Sequence, residues 1–265
     1  MTTHGAPWTE YLEFTDRLAD AAAEITVSCF RTPLTVADKT DPDDEDFDPV
    51  TEADRRTEAV LRAIIEAHYP DHGILGEEQA RKQGKSPFFW VIDPIDGTRS
   101  YISGIPLWGT LIALNNGIRP IVGMMDQPIL GERFTGTPDG AFRNGEPVST
   151  RPCPDLSKAI LFTTDPDMFE ESGELKAFRE VERQVKLRRF GGDCYAYCLL
   201  ARGLVDLVIE GDLKPYDIQA LIPIVEGAGG IVTTWDGGPA DNGGLVVAAG
   251  DKRLHAQALE ILGNR

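Results

Sequence analysis

Two carboxylates and a glycine-threonine pair follow one apolar run of the sequence. Residues 88–92 have the composition of a buried strand, and Asp93 and Asp96 come at its end. Gly97 and Thr98 come next and offer backbone N–H groups and a hydroxyl to an anion. Carboxylates are preferred ligands of Mg²⁺, and substrate phosphate oxygens commonly complete its coordination. This segment therefore predicts a site that binds a metal ion and a phosphate group together.

Three more acids occupy positions where chemical and structural roles compete. Glu77 follows the short apolar run 74–76, so it also comes at the end of a predicted strand. Asp54 lies in the first turn of a helix predicted over 51–69, where a carboxylate stabilises the helix dipole whatever else it does. Asp217 begins another predicted helix and has the same alternative, a helix cap. The residue pattern alone leaves both interpretations of Asp54 and Asp217 open.

A second glycine-rich segment follows a predicted strand in the later part of the chain. Residues 190–195 read Phe-Gly-Gly-Asp-Cys-Tyr. Gly192 would let a ligand approach the backbone closely, and Asp193 would place a negative charge beside that ligand. A helix N-cap is the competing interpretation of Asp193. Glu210 adds a further acid at the end of the predicted strand 205–210.

The elements that must position these residues change in pattern near residue 150. Residues 1–150 predict helices on an antiparallel sheet, because apolar residues recur at helical spacing over 8–30 and an Asn-Asn-Gly turn at 115–117 joins two strand-like runs. Residues 151–265 alternate strands with helices, which predicts a more parallel layer. We expect a mixed α/β (α+β) protein, with the metal motifs in the first subdomain and the second completing the metal and substrate site.

Composition excludes several classes of function. The chain has 265 residues, 42% of them hydrophobic, enough for a sizeable core. A formal net charge of −17 argues against a nucleic-acid or anionic-membrane partner. The start of the sequence lacks the pattern of a secretory leader, and no apolar run reaches the ~18 residues that span a bilayer. The four cysteines lack a disulfide spacing, so we expect reduced thiols and a cytoplasmic location.

The acidic motifs resemble, in their order along the chain, the inositol monophosphatase family of Mg²⁺-dependent, often lithium-sensitive phosphatases. The matching segments are Asp-Pro-Val-Thr-Glu-Ala-Asp at 48–54, Gly-Glu-Glu at 76–78, Asp-Pro-Ile-Asp-Gly-Thr at 93–98, and Asp217. The resemblance implies the layered αβαβα sandwich of the inositol monophosphatase and fructose bisphosphatase type. It further implies a homodimer, a small-molecule phosphate monoester as substrate, and two or three Mg²⁺ ions per site.

Residue roles also follow from the resemblance. It places one ion on Glu77, Asp93 and the Ile95 carbonyl, a second on Asp93, Asp96 and Asp217, and a looser third near Glu77. Asp54 and Thr98 would pair to orient the attacking water, so the implied catalytic residues are Asp54, Thr98 and Glu77. Family members usually carry a lysine near Lys39 in a loop that helps to complete the metal site. The acidic run 41–46 extends that loop here, and its self-repulsion predicts a mobile segment.

Two segments are similar to the histidinol-phosphate phosphatase branch of the family: Gly-Gly-Asp-Cys-Tyr-Ala-Tyr at 191–197 and Asp-Gly-Thr-Arg-Ser-Tyr at 96–101. An amine and an imidazole suit two carboxylates better than a neutral polyol does. This resemblance predicts hydrolysis of L-histidinol phosphate in histidine biosynthesis. An inositol-1-monophosphatase or broad sugar monophosphatase is the alternative, and a non-catalytic metal-binding regulator is a third. The implied substrate-binding residues are Gly97, Thr98, Arg99, Gly192, Asp193, Glu210 and Asp217.

Overall fold

The structure is a computed structural model of the chain, and it describes residues 8–33, 35–38, 49–169 and 172–264. The predictions for Lys39 and for the acidic run 41–46 lie outside the described residues. A short antiparallel pair, β1 (Val36–Asp38) and β2 (Pro49–Thr51), stands on either side of that run.

The two predicted N-terminal helices form and lie side by side. Helix α1 spans Thr9–Cys29, and helix α2 spans Glu52–His68. The Thr51 hydroxyl caps α2 by accepting the Ala53 N–H, as the capping pattern predicts. Apolar residues at helical spacing give each helix one buried face on a common core, formed in part by Leu18, Ala22, Leu61 and Ile65.

A seven-stranded sheet occupies the first 150 residues. Its first two strands are parallel and its other neighbours are antiparallel, so the predicted hairpins are confirmed. The turn signals explain this order, since hairpins join consecutive strands directly. In sheet order the strands are β3 (Gly73–Gly76), β4 (Phe89–Asp96), β5 (Gly109–Asn115), β6 (Pro120–Gln127), β7 (Glu132–Thr137), β8 (Gly140–Arg143) and β9 (Glu146–Val148).

The second sheet is mixed, so the expectation of a parallel layer is only partly correct. Three neighbouring strands are parallel, namely β11 (Leu187–Phe190), β10 (Ile160–Thr163) and β12 (Leu207–Leu213). Two further strands, β13 (Ile231–Thr234) and β14 (Gly244–Ala249), join antiparallel. The segment between β13 and β14 carries no helix, and a parallel pair would need a crossover of a dozen or more residues.

Helices cover both sheets and fill the space between them. The middle layer packs on Leu111 of the first sheet and Val208 of the second. The outer helices of the second half form a separate core with Leu161 and Val247. The chain is therefore the expected αβαβα sandwich, with α1 and α2 outermost on the other side. The remaining helices are α3 (Thr98–Ile102), α4 (Ser172–Glu182), α5 (Asp193–Ala201), α6 (Pro215–Ile218), α7 (Leu221–Gly227) and α8 (Lys252–Leu262).

Each sheet is built from one side of residue 150, but one apolar core joins them through the middle helices. The division into subdomains 1–150 and 151–265 stays a prediction. Among the helices in the described part of the chain, none is both long and apolar enough to cross a bilayer.

Candidate metal and substrate site

The site begins where the pairing of β3 with β4 ends, although β4 itself continues to Asp96. The register pairs Gly76 with Ile92, so Glu77 and Asp93 are the residues that follow on two neighbouring parallel strands. Asp93 is buried, and its carboxyl lies within hydrogen-bonding reach of the Glu77 carboxyl. Residues that follow paired positions on neighbouring parallel strands lie side by side. The two predicted ligands, Glu77 and Asp93, are therefore neighbours.

An irregularity in β4 turns the chain so that further ligands face the same point. The pairing with β5 shifts register between Asp93 and Asp96. The Ile95 N–H donates to Asp93 Oδ1 (3.0 Å), and Gly97 has a positive φ of 82° before α3 begins. A residue other than glycine would be strained at that φ. In a regular strand, Asp93 and Asp96 would point to opposite faces of the sheet. The irregularity lets both carboxylates face the same point.

The second half of the chain adds the third acid. Asp217 lies in the first turn of α6, where its Oδ2 accepts the Lys214 N–H (2.6 Å). Carboxylate oxygens of Asp93, Asp96 and Asp217 all lie within 4.8 Å of one another. Asp217 is therefore both a helix-stabilising carboxylate and a member of the carboxylate cluster, and its role as a metal ligand stays a prediction.

Burial and mutual repulsion weaken the acidity of the cluster. Burial, followed by the charges of Glu77 and Asp96, raises the pKa of Asp93 well above its ordinary value. Burial and then the Asp96 charge do the same to the pKa of Asp217. Burial and then Asp193 raise the pKa of Asp96 to about 7, although the Cys194 N–H donates to its Oδ2 (2.7 Å). These acids cannot all hold a full charge at neutral pH without a cation between them.

The donor set fits a hard divalent cation. Every candidate ligand in the cluster is an oxygen, three carboxylates converge, and the neighbouring Glu77 adds a fourth. Mg²⁺ binds oxygen ligands of this kind and usually leaves positions for substrate and water. The sulfur of Cys194 lies beside Asp96 as a hydrogen-bonding partner, and burial raises the pKa of its thiol well above the usual range.

Asp54 lies in the first turn of α2, and Thr98 is the first residue of α3. Asp54 is buried, and its Oδ2 accepts both the Thr51 N–H (2.8 Å) and the Thr51 hydroxyl (2.5 Å). The Thr98 hydroxyl donates to the Ile95 carbonyl (3.0 Å), which is itself a candidate metal ligand. The predicted pairing of Asp54 with Thr98 stays a prediction. If a metal ion bound the Ile95 carbonyl, the Thr98 hydroxyl could donate to another partner.

Asp193 connects the two halves of the site. Its backbone has a positive φ of 43°, uncommon for a residue with a side chain and often a feature of functional sites. Its carboxylate accepts the Ser100 hydroxyl (2.9 Å) and lies against Gly97, where an added Cβ would be 3.0 Å from Asp193 Cγ. Burial raises the pKa of Asp193, while Ser100 and the exposed Arg99 partly oppose that rise. The acid thus touches the predicted phosphate segment, and the N-cap of α5 is Gly192 and not Asp193.

Glu210 lies in β12, the central strand of the second sheet, where the pairing with β14 changes register, and it shares a partner with Asp193. The Thr164 N–H donates to its carboxylate (3.0 and 3.1 Å), and the Thr164 hydroxyl donates to Oε1 (3.2 Å). The same hydroxyl accepts the Asp193 N–H (3.1 Å). Burial raises the pKa of Glu210 well above its usual value despite these bonds, and Asp193 adds to the rise. The two substrate-side acids form one connected group.

Gly192 has a packing role in the structure. Its φ of −99° is open to any residue, but an added Cβ would lie 2.7 Å from the Phe162 ring and 2.8 Å from Ala196 Cβ. The side of Gly192 that a Cβ would occupy is therefore filled by protein. Its neighbour Gly191 has the positive φ, 75°, and open space beside it.

Sequence reasoning missed two residues that organise the site. Thr164 immediately follows β10, so the strand-end pattern that pointed to Glu77 and Asp93 also applied to it. Ser100 lies two residues beyond the phosphate segment, and its role depends on the fold bringing Asp193 to it. No local signal predicts that second contact, because the partners are 93 positions apart.

The sandwich with a carboxylate cluster beside a glycine-threonine turn defines a class, the metal-dependent phosphatases of layered α/β architecture. The chain belongs to the inositol monophosphatase family, whose model matches residues 8–264.

Individual relatives carry several activities in their names. The bifunctional phosphatase IMPL2 of Arabidopsis thaliana, described as chloroplastic, is 48% identical over 257 residues, covering 92% of this chain and 72% of that protein. A histidinol-phosphatase of Streptomyces coelicolor is 37% identical, covering 94% and 95%. The solved structure of an inositol monophosphatase from Zymomonas mobilis has a TM-score of 0.87 and 43% identity, covering 97% and 99%.

Proposed function

We propose that this member of the family is an Mg²⁺-dependent histidinol-phosphate phosphatase, which converts L-histidinol phosphate and water to L-histidinol and phosphate. The observation that carries the proposal is the acidic pair Asp193 and Glu210, joined through Thr164 beside the metal cluster. The histidinol-phosphatase from Streptomyces coelicolor supports the same activity by similarity. A role in histidine biosynthesis follows from that substrate.

The proposed metal ligands are Glu77, Asp93, the Ile95 carbonyl, Asp96 and Asp217. Bound Mg²⁺ supplies Lewis-acid charge that activates water and stabilises the leaving alkoxide. We assign two ions, with a third near Glu77, because the cluster holds more acids than one ion neutralises.

The chain's own groups bind and orient the reactants. The N–H groups of Gly97 and Thr98 bind the phosphate, with Arg99 at its exposed edge. Asp54 is held in place by Thr51 and accepts a hydrogen bond from the attacking water. The Thr98 hydroxyl orients the same water through a second hydrogen bond. Glu77, which lies beside Asp93, assists in activating the attacking water.

The acidic pair recognises the alcohol. Histidinol carries an ammonium group and a titratable imidazole, whereas inositol carries neither. A cation beside Asp193 and Glu210 favours their charged forms and so opposes the effect of burial on their pKa values. Asp217 is assigned to the substrate side as well. The charges of Glu210 and Asp217 both add to the effect of burial in raising the pKa of the Tyr197 hydroxyl.

Inositol 1-phosphate or a sugar phosphate is the second candidate substrate, favoured by the similarity to the Zymomonas mobilis inositol monophosphatase. A non-catalytic metal-binding regulator is a third and weaker candidate. We also propose a homodimer and a cytoplasmic location, the first from family resemblance and the second from the sequence pattern.

The test is phosphate release from histidinol phosphate, inositol 1-phosphate, glycerol phosphate and an adenosine bisphosphate, each with Mg²⁺ and with excess chelator. We expect the highest kcat/KM for histidinol phosphate and no release with chelator, because the ligands are hard oxygens. A preference for inositol 1-phosphate would replace the substrate assignment. Absence of release from every ester would favour the regulator.

A further inference from the structure

A buried acid on helix α2, Glu58, binds the backbone immediately after Glu77. Glu58 is one helical turn beyond Asp54, and its carboxyl group has no solvent exposure. Its Oε2 accepts the Glu78 N–H (2.6 Å), and its Oε1 accepts the Gln79 N–H (3.0 Å). Two consecutive backbone groups just after Glu77 are therefore bound to one side chain.

Arg62 completes the attachment from the next turn of α2. Its Nε donates to Glu58 Oε1 (2.7 Å), while its other nitrogens donate to the carbonyls of Gln79 (2.8 Å) and Ala80 (3.1 Å). Buried charges need such pairing and hydrogen bonding. The pair Glu58 and Arg62 therefore binds both N–H and C=O groups of residues 78–80.

Gly76 makes this approach possible. A Cβ at residue 76 would lie 2.4 Å from Glu58 Oε1 and 2.6 Å from its Cδ. Any side chain there would push the carboxylate away from the backbone that it binds. The glycine, the acid and the arginine thus form one arrangement, although they come from two elements.

We propose that Glu58 is a positioning residue for the metal site: it fixes the backbone beyond β3 so that the Glu77 carboxylate faces Asp93. This inference rests on the proposed metal-dependent function. Glu58 touches neither substrate nor metal in this scheme, and its effect passes through the N–H groups of Glu78 and Gln79. Groups that orient metal ligands typically change metal affinity by ~10- to 100-fold when they are replaced.

The test variant is Glu58→Gln, which keeps the side-chain length and one acceptor oxygen but loses the charge and the second acceptor. We expect the amides of residues 78 and 79 to exchange hydrogen at least ~10-fold faster in the metal-free protein. We expect Mn²⁺ affinity, measured by electron paramagnetic resonance, to fall ~10- to 100-fold. At saturating Mg²⁺ the KM for substrate should stay unchanged.

Two controls separate positioning from general damage. Glu66→Gln changes an exposed acid on the same helix, where Glu66 pairs with Lys82 at 3.7 Å. Leu254→Ala destabilises the distant second core, which does not include this segment. We expect neither control to change Mn²⁺ affinity or exchange at residues 78 and 79 under native conditions.

The outcomes distinguish this inference from the function on which it rests. Wild-type Mn²⁺ affinity in Glu58→Gln, with or without faster amide exchange, would overturn the positioning role alone. An equal loss of affinity in Leu254→Ala would also overturn it, since stability would then explain the effect. A wild-type protein that binds no Mn²⁺ would overturn the proposed metal function and this inference together.

Discussion

The acids of the metal cluster and the acids of the substrate side are stabilised in different ways. Asp93 and Asp217 face other carboxylates, and after burial the charges of neighbouring acids are the next largest cause that raises their pKa values. Each of these cluster acids accepts a backbone N–H, whereas Asp193 accepts the Ser100 hydroxyl and Glu210 accepts both the N–H and the hydroxyl of Thr164. The first region therefore fits the proposed multivalent cation, whereas Asp193 and Glu210 already have hydroxyl donors from the protein.

The difference indicates what each region recognises. A crowded set of carboxylates gains most from a small ion of high charge that contacts several oxygens at once. The carboxylates of Asp193 and Glu210 can each accept one further charge-assisted hydrogen bond, which suits the single positive groups of an organic molecule. The two regions meet at Asp96, because Asp193 contributes to raising its pKa. Charge changes should therefore have separable effects on turnover and on substrate choice.

The largest expected effect comes from Asp96→Asn. The asparagine oxygen can still accept the Cys194 N–H, so the variant removes the charge and keeps that contact. Turnover should fall at least ~100-fold, as when other charge-stabilising groups are removed from active sites. Steady-state kinetics at saturating Mg²⁺ measures it, with all substrates of the panel affected alike.

Asp126→Asn is the matched control for that measurement. Asp126 is also a buried acid on the first sheet, but it pairs with Arg133 (2.8 Å) away from the cluster. The control should lose stability and keep its turnover below its melting temperature. Near-normal turnover of Asp96→Asn would show that the assigned metal ligands are wrong.

A smaller and substrate-dependent effect is expected for Asp193→Asn. Histidinol should lose one charge-assisted hydrogen bond, typically ~1.5 to 3 kcal/mol. The kcat/KM for histidinol phosphate should fall ~10- to 100-fold, while glycerol phosphate should change much less. The ratio of the two kcat/KM values is the measurement, because general damage cancels in it.

Ser100→Ala provides the control for Asp193→Asn. It removes a donor to the Asp193 carboxylate and leaves the charge in place. We expect a smaller change in the same ratio. Equal losses on both esters in Asp193→Asn would make Asp193 a shared structural acid, and the contrast between the two regions would then not concern substrate choice.

The sequence predicted most of the fold, and it predicted that acids would converge at one place, because apolar runs and turn signals are local patterns. The helix predicted over 51–69 is α2, Glu52–His68, and Glu77 and Asp93 each follow an apolar run. Asp54 and Asp217 needed the family resemblance, since capping and metal binding favour the same residue type at a helix start. In the structure Asp217 stabilises a helix start and also lies in the carboxylate cluster, while its metal binding stays a prediction.

The sequence could not predict the contacts that depend on how the layers meet. Thr164 and Asp193 are 29 positions apart, and Glu58 reaches Glu78 across 20 positions. The close packing of Gly192 on Phe162 is another such contact, and the predicted approach of a ligand to Gly192 stays a prediction. Such contacts are set by the αβαβα arrangement, and composition carries no information about which pairs it brings together.

The smallest expected effect is a pH dependence of stability that differs between the two regions. The folded state raises the pKa of Asp96 to about 7 from an ordinary value of 3.8. An acid with a raised pKa binds its proton more tightly when folded, so the metal-free protein should lose stability as pH rises from about 4 to 7. The full shift corresponds to ~4 kcal/mol. Water screens a half-buried group, so we expect ~1 to 2 kcal/mol from Asp96.

Urea unfolding at several pH values, with and without Mg²⁺, measures this dependence. Mg²⁺ should remove the part of the slope due to Asp93, Asp96 and Asp217, because a bound cation favours the charged acids. The part due to Asp193 and Glu210 should remain, since their pKa values are also raised and no metal is assigned to them. Asp96→Asn should reduce the slope only in the metal-free protein. If Mg²⁺ left the slope of unfolding free energy against pH unchanged, the cluster would not bind the cation. If Mg²⁺ abolished the slope completely, the cation would also be acting on Asp193 and Glu210.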